Sequence, residues 1–262
     1  MGRFHPQDGH APHHHHPHGP DAHDHLHEVG DHSGYETGSL RVDVLQDILG
    51  ENERTADANR ADFATAGVRV VNVMSSPGAG KTTLLRKMLL RLGGTVRAGV
   101  VEGDIETSID AELLAETGVP VALVNTSNGF GGECHLDATM VRSALPRLPL
   151  EDLDLVVIEN VGNLVCPAEF DVGEHARLMV YAPTEGEDKP LKYPVMFRAA
   201  DAVAINKIDL LPHLDVDLAL FEENLRRVNP DVAVFHVSAK TGDGVDALAE
   251  WLTGSDQIAP ST

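Results

Sequence analysis

The sequence has few basic residues, few aromatic residues, only two cysteines and no long hydrophobic run. Its 20 Lys and Arg stand against 41 Asp and Glu, and the formal charge of -21 disfavours nucleic acid and anionic lipid as partners. No apolar run approaches the roughly 18 to 20 residues of a bilayer span, and the first residues lack the apolar core of a signal peptide. We therefore expect a cytoplasmic protein that binds neither nucleic acid nor membrane.

The low cysteine content also limits the chemistry of the chain. Two cysteines in a reducing compartment argue against a structural disulfide and leave two options, a thiolate metal ligand or an inert core thiol. With 262 residues, 42% of them hydrophobic, the chain can bury a substantial core.

Histidine is abundant at the amino terminus, where residues 1–38 mix it with proline, glycine and aspartate. This composition cannot bury enough apolar surface to fold, so we expect a disordered tail when no metal is bound. The longest histidine run is four, which favours native metal buffering over an expression tag or a neutral spacer. Imidazole suits nickel, copper and zinc alike. The histidines predicted to buffer nickel are His13, His14, His15, His16, His18, His23, His25 and His27.

Beyond the tail, residues 40–66 have helical periodicity, and from residue 68 short apolar runs alternate with amphipathic segments. The pattern predicts strands at 68–74, 98–101, 121–124, 155–158, 202–205 and 232–237, and helices at 83–92, 108–117, 136–145, 215–228 and 245–252. The segment 182–194 is predicted to be a surface loop. Strands rich in Val and Ile, separated by helices, indicate an α/β fold, a mainly parallel sheet flanked by helices, with ligands at the carboxyl ends of the strands.

A glycine-rich segment, 75–83, follows the first predicted strand and opens a helix. Such a turn points backbone N–H groups at a phosphate, which is the P-loop arrangement. Lys81 is predicted to contact the β- and γ-phosphates, and the Thr82 hydroxyl to bind Mg2+. Ser75 stands where the usual pattern has glycine. The predicted nucleotide-binding residues of the loop are Gly78, Ala79, Gly80, Lys81, Thr82 and Thr83.

A second motif predicts that the nucleotide is GTP. Asp209 follows a predicted strand and can accept hydrogen bonds from the N1–H and the exocyclic amine of guanine, which adenine cannot offer in that arrangement. The stem of Lys207 can cover the base. The predicted base contacts are Asn206, Lys207, Asp209, Ser238, Ala239 and Lys240.

Acidic residues at two further strand ends are candidates for catalysis together with Lys81. Asp104 and Glu159 can hold Mg2+ or orient the attacking water, and Asp104 is the first choice for Mg2+. No glutamine or arginine is identifiable that would position the water or act as a finger. We therefore expect a GTPase with slow intrinsic hydrolysis.

Cys134 and His135 precede a predicted helix, and Cys166 follows the segment 159–165. A thiol near a helix amino end has a lowered pKa, which favours metal binding. One protomer offers three ligands, and two facing protomers would complete a set suited to Zn2+ or Ni2+. The alternative is two buried structural cysteines and a polar histidine. Because Cys166 follows the segment that begins at Glu159, which is predicted to act near the γ-phosphate, the position of Cys166 could change with the nucleotide.

The segments 74–83, 102–107, 132–136 and 159–167 resemble those of the hydrogenase nickel-incorporation GTPase family HypB, of the SIMIBI class of P-loop GTPases. The resemblance covers about residues 40–252, and serine at position 75 is usual in the family. It implies a GTP-dependent homodimer that holds nickel or zinc at Cys134, His135 and Cys166. It also implies nickel transfer with a HypA-type nickel chaperone to the [NiFe]-hydrogenase large subunit. Some members carry a cysteine-rich nickel motif at the amino terminus, whereas this chain has histidines, which implies storage by the tail.

These features predict a GTP-hydrolysing metallochaperone that stores nickel and delivers it for [NiFe]-hydrogenase maturation. One alternative is the urease accessory GTPase UreG, but its Cys-Pro-His motif has a proline that Cys134-His135 lacks. A nickel or zinc storage protein with a regulatory nucleotide site is another, whereas an ordinary translation or signalling GTPase leaves the histidines unexplained. The predicted division is a metal-binding tail at 1–38, a helical segment packing on the core at 39–66, the GTPase domain with its embedded metal site at 67–254, and a carboxyl-terminal tail at 255–262.

Overall fold

The computed structural model describes residues 37–104, 109–126 and 134–254, with side chains from residue 47 and without those of residues 104 and 109. Seven parallel strands form one sheet in the order β3-β2-β4-β1-β5-β6-β7. The strands are β1 Arg69–Ser75, β2 Ala98–Asp104, β3 Val121–Asn125, β4 Leu155–Glu159, β5 Ala176–Tyr181, β6 Ala202–Ile205 and β7 Ala233–His236. The predicted fold class is confirmed.

Helices connect the strands and cover both faces of the sheet. They are α1 Thr37–Ala66, α2 Lys81–Leu92, α3 Ile109–Ala115, α4 Ala138–Ala144, α5 Lys189–Lys192, α6 Pro194–Ala199, α7 Leu218–Val228 and α8 Val245–Thr253. Because side chains alternate along a strand, Val71 and Val73 pack in the core shared with α2 and α8, whereas Val70 packs with Phe63 of α1. No described helix combines the length and the apolarity needed to cross a membrane.

The helical segment predicted before the first strand forms one continuous helix, α1. Its buried face carries Phe63 together with two buried amides, Asn52 and Asn59. Asn59 Nδ2 donates to the carbonyls of Ala138 and Val172, at 2.9 and 3.1 Å. The helix is therefore anchored by hydrogen bonds as well as by apolar contacts, since buried amides are stable only when paired.

The strand β5 is absent from the sequence prediction, although it lies between β1 and β6 in the middle of the sheet. Arg177 stands at its second position, and the apolar run 178–182 that follows is uninterrupted, so the strand was missed although a local pattern for it is present. The structure compensates that charge with Glu174, which accepts from Arg177 Nε at 2.5 Å. The predicted surface loop 182–194 is also wrong in part, because it contains α5 and the 3-10 turn Pro183–Glu185, with Pro183 and Pro190 buried.

Candidate functional site

The carboxyl ends of the central strands enclose a cavity of about 440 Å3, lined by the 75–83 loop and, opposite it, by Glu102, Gly103, Asp110, Val161 and Gly162. Gly78 and Gly80 both have positive φ, 78° and 87°, which L side chains rarely adopt. A Cβ on Gly80 would also lie 2.8 Å from Asn206 Nδ2. Glycine is thus required where this loop turns into α2.

Two loop side chains converge on the end of β4. Lys81 Nζ lies 2.6 Å from Glu159 Oε1, and Thr82 Oγ1 donates to the same oxygen at 2.6 Å. Thr82 Oγ1 also lies 3.1 Å from Asp110 Oδ2. The lysine that the sequence assigns to phosphate is therefore paired with a buried carboxylate.

Glu159 also belongs to a cluster of three carboxylates. Ligand atoms of Glu102, Asp110 and Glu159 lie within 4.8 Å of one another. Glu102 Oε2 and Glu159 Oε2 have no hydrogen-bond partner among the described residues. Unpaired buried oxygens are costly and are the donors that Mg2+ prefers, so the cluster together with Thr82 fits this cation. The side chain of Asp104, the first choice from sequence, lies outside the described residues.

Burial, followed by the neighbouring charge of Glu159, raises the pKa of Glu102 to about 10. The native protein therefore keeps this proton at pH values where the unfolded chain, near 4.5, has released it. Because stability falls with pH wherever the unfolded state binds fewer protons, this group destabilises the native protein increasingly from about pH 4.5 to pH 10.

We predict that Glu102→Gln removes this part of the pH dependence. Gln cannot titrate, so without metal or nucleotide the variant should gain in melting temperature relative to the wild type as the pH rises from 5 to 8. Thermal unfolding followed by circular dichroism in EDTA measures the effect. Glu250→Gln, at an exposed position, is the matched control. A pH slope equal to that of the wild type would show that Glu102 is ionised in the native protein.

The predicted base-binding residues lie together at the ends of β6 and β7. Ser238 Oγ donates to Asp209 Oδ1 at 2.6 Å, and Lys240 Nζ lies 3.8 Å from Asp209 Oδ2. Asn206 Nδ2 donates to Ala79 O at 2.9 Å. Lys207, with φ of 64°, donates from Nζ to Gly78 O at 2.6 Å.

These contacts join the two predicted halves of the nucleotide site. The phosphate loop is held by Asn206 and Lys207, so the predicted base-binding residues are tied directly to that loop. Asp209 is fixed by the Ser238 hydroxyl before any base arrives, which is the preorganisation that selective hydrogen bonding needs.

Cys134, His135 and Cys166 also come together, with their ligand atoms within 4.8 Å of one another. Both cysteines are free thiols, 2.7 Å apart at Sγ. The His135 ring stacks on Phe170 with centroids 4.0 Å apart. All three ligands are partly exposed, which differs from the alternative of buried structural cysteines.

The environment of the thiols differs from the sequence expectation. The following helix, α4, begins only at Ala138, and Asp137 caps it by accepting from Met140 N at 2.6 Å. The contact with Cys134, followed by burial, raises the pKa of Cys166 to about 11. A metal that binds there must therefore displace a proton.

One continuous segment, 159–166, links the two sites. It begins at Glu159, and Val161 and Gly162 line the phosphate cavity. Asn163 Nδ2 then donates to Cys134 O at 3.3 Å, and the segment ends at Cys166. A displacement at the phosphate end would be transmitted to a metal ligand along this eight-residue segment.

Comparisons with known proteins identify the family of this chain. Residues 69–236 match the family model of the CobW/HypB/UreG nucleotide-binding domain. The hydrogenase maturation factor HypB of Escherichia coli K12 is 48% identical over 225 residues, covering 86% of this chain and 76% of that protein. HypB of Azotobacter chroococcum is 52% identical over 214 residues, covering 82% and 68%.

The chain belongs to the HypB family. A crystal structure of Helicobacter pylori HypB in complex with nickel is 33% identical and covers 81% of this chain and 99% of that one, with a TM-score of 0.73. The resemblance predicted from the sequence motifs is thereby confirmed.

For this HypB-family chain the structure adds two residues to the phosphate side. Asp110 was missed because its position in the first turn of α3 carries no motif. Glu102, two residues before the predicted ligand Asp104 at the end of β2, was also missed. The signal lay in pairing register, since Glu102 stands opposite Glu159 on the neighbouring strand. The tail histidines His13 to His27 lie outside the described residues.

Proposed function

We propose that this chain is a GTP-hydrolysing nickel metallochaperone that stores nickel and delivers it for [NiFe]-hydrogenase maturation. The observation that carries the proposal is the junction of two sites by the single segment 159–166, with a phosphate cavity at one end and Cys166 at the other. A nucleotide-binding protein without cargo has no need of a thiol cluster at that position.

The nucleotide in this proposal is GTP, bound through Gly78 to Thr83 and through Asp209. The preorganised Asp209 carboxylate supports guanine, since it offers two acceptors to two guanine donors. Asn206, Lys207, Ser238, Ala239 and Lys240 complete the base side.

In hydrolysis Lys81 holds the terminal phosphates, so it must exchange Glu159 for phosphate when GTP enters. Thr82 with Glu159, Glu102 and Asp110 would hold Mg2+, which supplies charge stabilisation to the transferring phosphate, and Asp104 stays the further ligand predicted from the sequence. Glu159, freed from Lys81, is then able to accept a hydrogen bond from the attacking water. No described arginine lines the cavity, which is consistent with a slow intrinsic rate.

The cargo site is formed by Cys134, His135 and Cys166. Two thiols and one imidazole suit nickel or zinc, and three ligands leave a position for a fourth. A GTP-dependent homodimer would supply it from the second protomer. A HypA-type nickel chaperone and the [NiFe]-hydrogenase large subunit are the proposed receivers, and the histidine tail buffers nickel in the cytoplasm.

The proposal predicts that nucleotide controls how long nickel stays on the thiols. Thiolate-to-nickel charge-transfer absorption reports on this site alone, because tail histidines give no such band. Nickel release into a chelator, followed by this band, should differ at least about fivefold between GDP and a non-hydrolysable GTP analogue, the lower end of typical coupling. GTP itself should move the chain from one rate to the other as it is hydrolysed.

Two variants test the assignment of the site. Cys134→Ala should abolish the charge-transfer band, while His213→Ala, an exposed histidine outside both sites, should leave it unchanged. Release at one rate in every nucleotide state would contradict nucleotide-gated delivery and leave the storage alternative.

A further inference from the structure

A chain of buried polar side chains runs beneath the two sites. Asn160, directly after β4, and Asn72, inside β1, are both fully buried. Asn160 Nδ2 donates to Asn72 Oδ1 at 3.3 Å, and Asn72 Nδ2 donates to Glu174 Oε1 at 3.3 Å. The side chain of Glu174 is 3% exposed. Burial of such groups is costly unless each is paired.

The orientation of the Asn160 amide is fixed by its partners. Its Oδ1 accepts from two backbone N–H groups, those of Leu136 at 2.9 Å and Val161 at 3.0 Å. Backbone N–H groups only donate, so the oxygen must face them and the amide nitrogen must face Asn72. The whole chain of donors and acceptors is consistent in this one arrangement.

The two N–H groups on that single oxygen belong to different sites. Val161 lines the phosphate cavity, whereas Leu136 directly follows the metal-site residues Cys134 and His135. Leu136 is fully buried, and its side chain packs directly over Gly103 of β2, where a Cβ would lie 2.7 Å from its Cγ. Val161 and Leu136 are therefore joined by one side-chain atom within a packed core.

A second branch of the same chain reaches the other side of the metal site. Glu174 Oε2 accepts from Val172 N at 2.8 Å, and Phe170, two residues earlier, stacks on the His135 ring. Through Asn72 and Glu174, Asn160 is thus connected to both segments that surround His135. A discrete rearrangement of the amide would shift the ligands together rather than one by one.

We propose that Asn160 is the positioning residue through which the nucleotide sets the metal affinity of Cys134, His135 and Cys166. A nucleotide that moves Val161 N breaks the hydrogen bond that this N–H donates to Asn160 Oδ1. The oxygen then accepts from Leu136 N alone and holds it in a different position. This inference rests on the proposed function, because it names the physical element that carries its coupling.

The test is the coupling ratio, the Kd for Ni2+ with GDP divided by that with a non-hydrolysable GTP analogue, measured on the full chain by the charge-transfer band. In the wild type the ratio should differ from one at least about fivefold. In Asn160→Ala it should fall to within about twofold of one, with nickel and nucleotide still bound individually. Linkage requires that nickel changes the affinity for the analogue relative to GDP by the same factor, which gives a second measurement of the ratio.

The matched control is Asn59→Ala. Asn59 is fully buried, makes three side-chain hydrogen bonds and contacts the metal-side segments at Ala138 and Val172, but none of these three bonds reaches residues 159–163. This variant should lower stability and leave the coupling ratio at the wild-type value. Loss of coupling in both variants would overturn the assignment to Asn160 and indicate general loosening of the core.

A wild-type measurement covers the case in which Asn160→Ala does not fold. Without metal, exchange of GDP for the analogue should change the hydrogen-exchange protection of the Leu136 amide at least about fivefold, together with that of Val161. An unchanged Leu136 amide would overturn the inference. A wild type that binds nickel identically with both nucleotides would instead contradict the proposed function, so the two failures are distinguishable.

Discussion

Asp209→Asn should change the preferred nucleotide from GTP to XTP. The carboxylate offers two acceptors to the N1–H and the amine of guanine, whereas an amide offers one acceptor and one donor. Xanthine has a carbonyl in place of that amine, and the new amide donor matches it. Ser238 Oγ, 2.6 Å from Asp209 Oδ1, keeps the acceptor on one side, so the donor faces the base.

Hydrogen bonds to a charged group contribute about 1.5–3 kcal/mol each. The variant keeps one of these bonds, now to an uncharged acceptor, and turns the other into a donor–donor clash, which should weaken GTP binding on the order of 100- to 1000-fold. XTP should bind the variant more tightly than GTP. Fluorescence titration with GTP, XTP and ATP measures the switch, and Asp231→Asn, at an exposed position, is the control. Retention of GTP preference by Asp209→Asn would remove Asp209 from the base pocket.

The contiguous motifs could be found from the sequence because each lies within a few residues. The loop 75–83 and Asp209 also follow strands closely, and parallel strands bring their carboxyl ends to one edge without further information. The pair Cys134-His135 was found from its ligand types instead, since β3 ends at Asn125. The sequence left undetermined the distance between the phosphate loop and the thiol site, and the structure shows that the segment 159–166 connects them.

The remaining features depend on register and packing, which no local pattern encodes. Glu102 faces Glu159 only because β2 and β4 pair as they do, and Asn160 reaches Leu136 only because β4 lies beside β2. The strand β5 is an exception, because its apolar run 178–182 is a local pattern that was overlooked; the charge of Arg177 before it is neutralised by Glu174. Chemistry carried by one motif was therefore predictable, and chemistry shared between elements was not.

Lys81→Ala should reduce both stability and nucleotide binding, and the two losses have separate causes. The Lys81 side chain is 10% exposed and that of its partner Glu159 is fully buried, with 2.6 Å between the charged atoms. Removal of one partner of a buried ion pair costs about 3–5 kcal/mol, because the other charge stays buried and uncompensated. We therefore expect the nucleotide-free variant to lose this much free energy of unfolding, independently of the effect of the substitution on GTP affinity.

The double variant Lys81→Ala, Glu159→Gln separates the two roles. In the wild type the Thr82 hydroxyl donates to Glu159 Oε1 at 2.6 Å, and Gln keeps an oxygen that accepts this hydrogen bond. Because Gln is uncharged, no unpaired charge stays buried, and most of the lost free energy of unfolding should return. GTP affinity should not return, and hydrogenase maturation in a host that lacks its own HypB should fail in both variants, whereas Lys87→Ala on the same helix should be normal. Urea unfolding, GTP titration and hydrogenase activity measure the three quantities.

Two results would contradict these assignments. If the double variant supports maturation, lysine is not needed on the phosphates, and the storage alternative is favoured. If the double variant stays as unstable as the single variant, Glu159 is not the charge that Lys81 compensates.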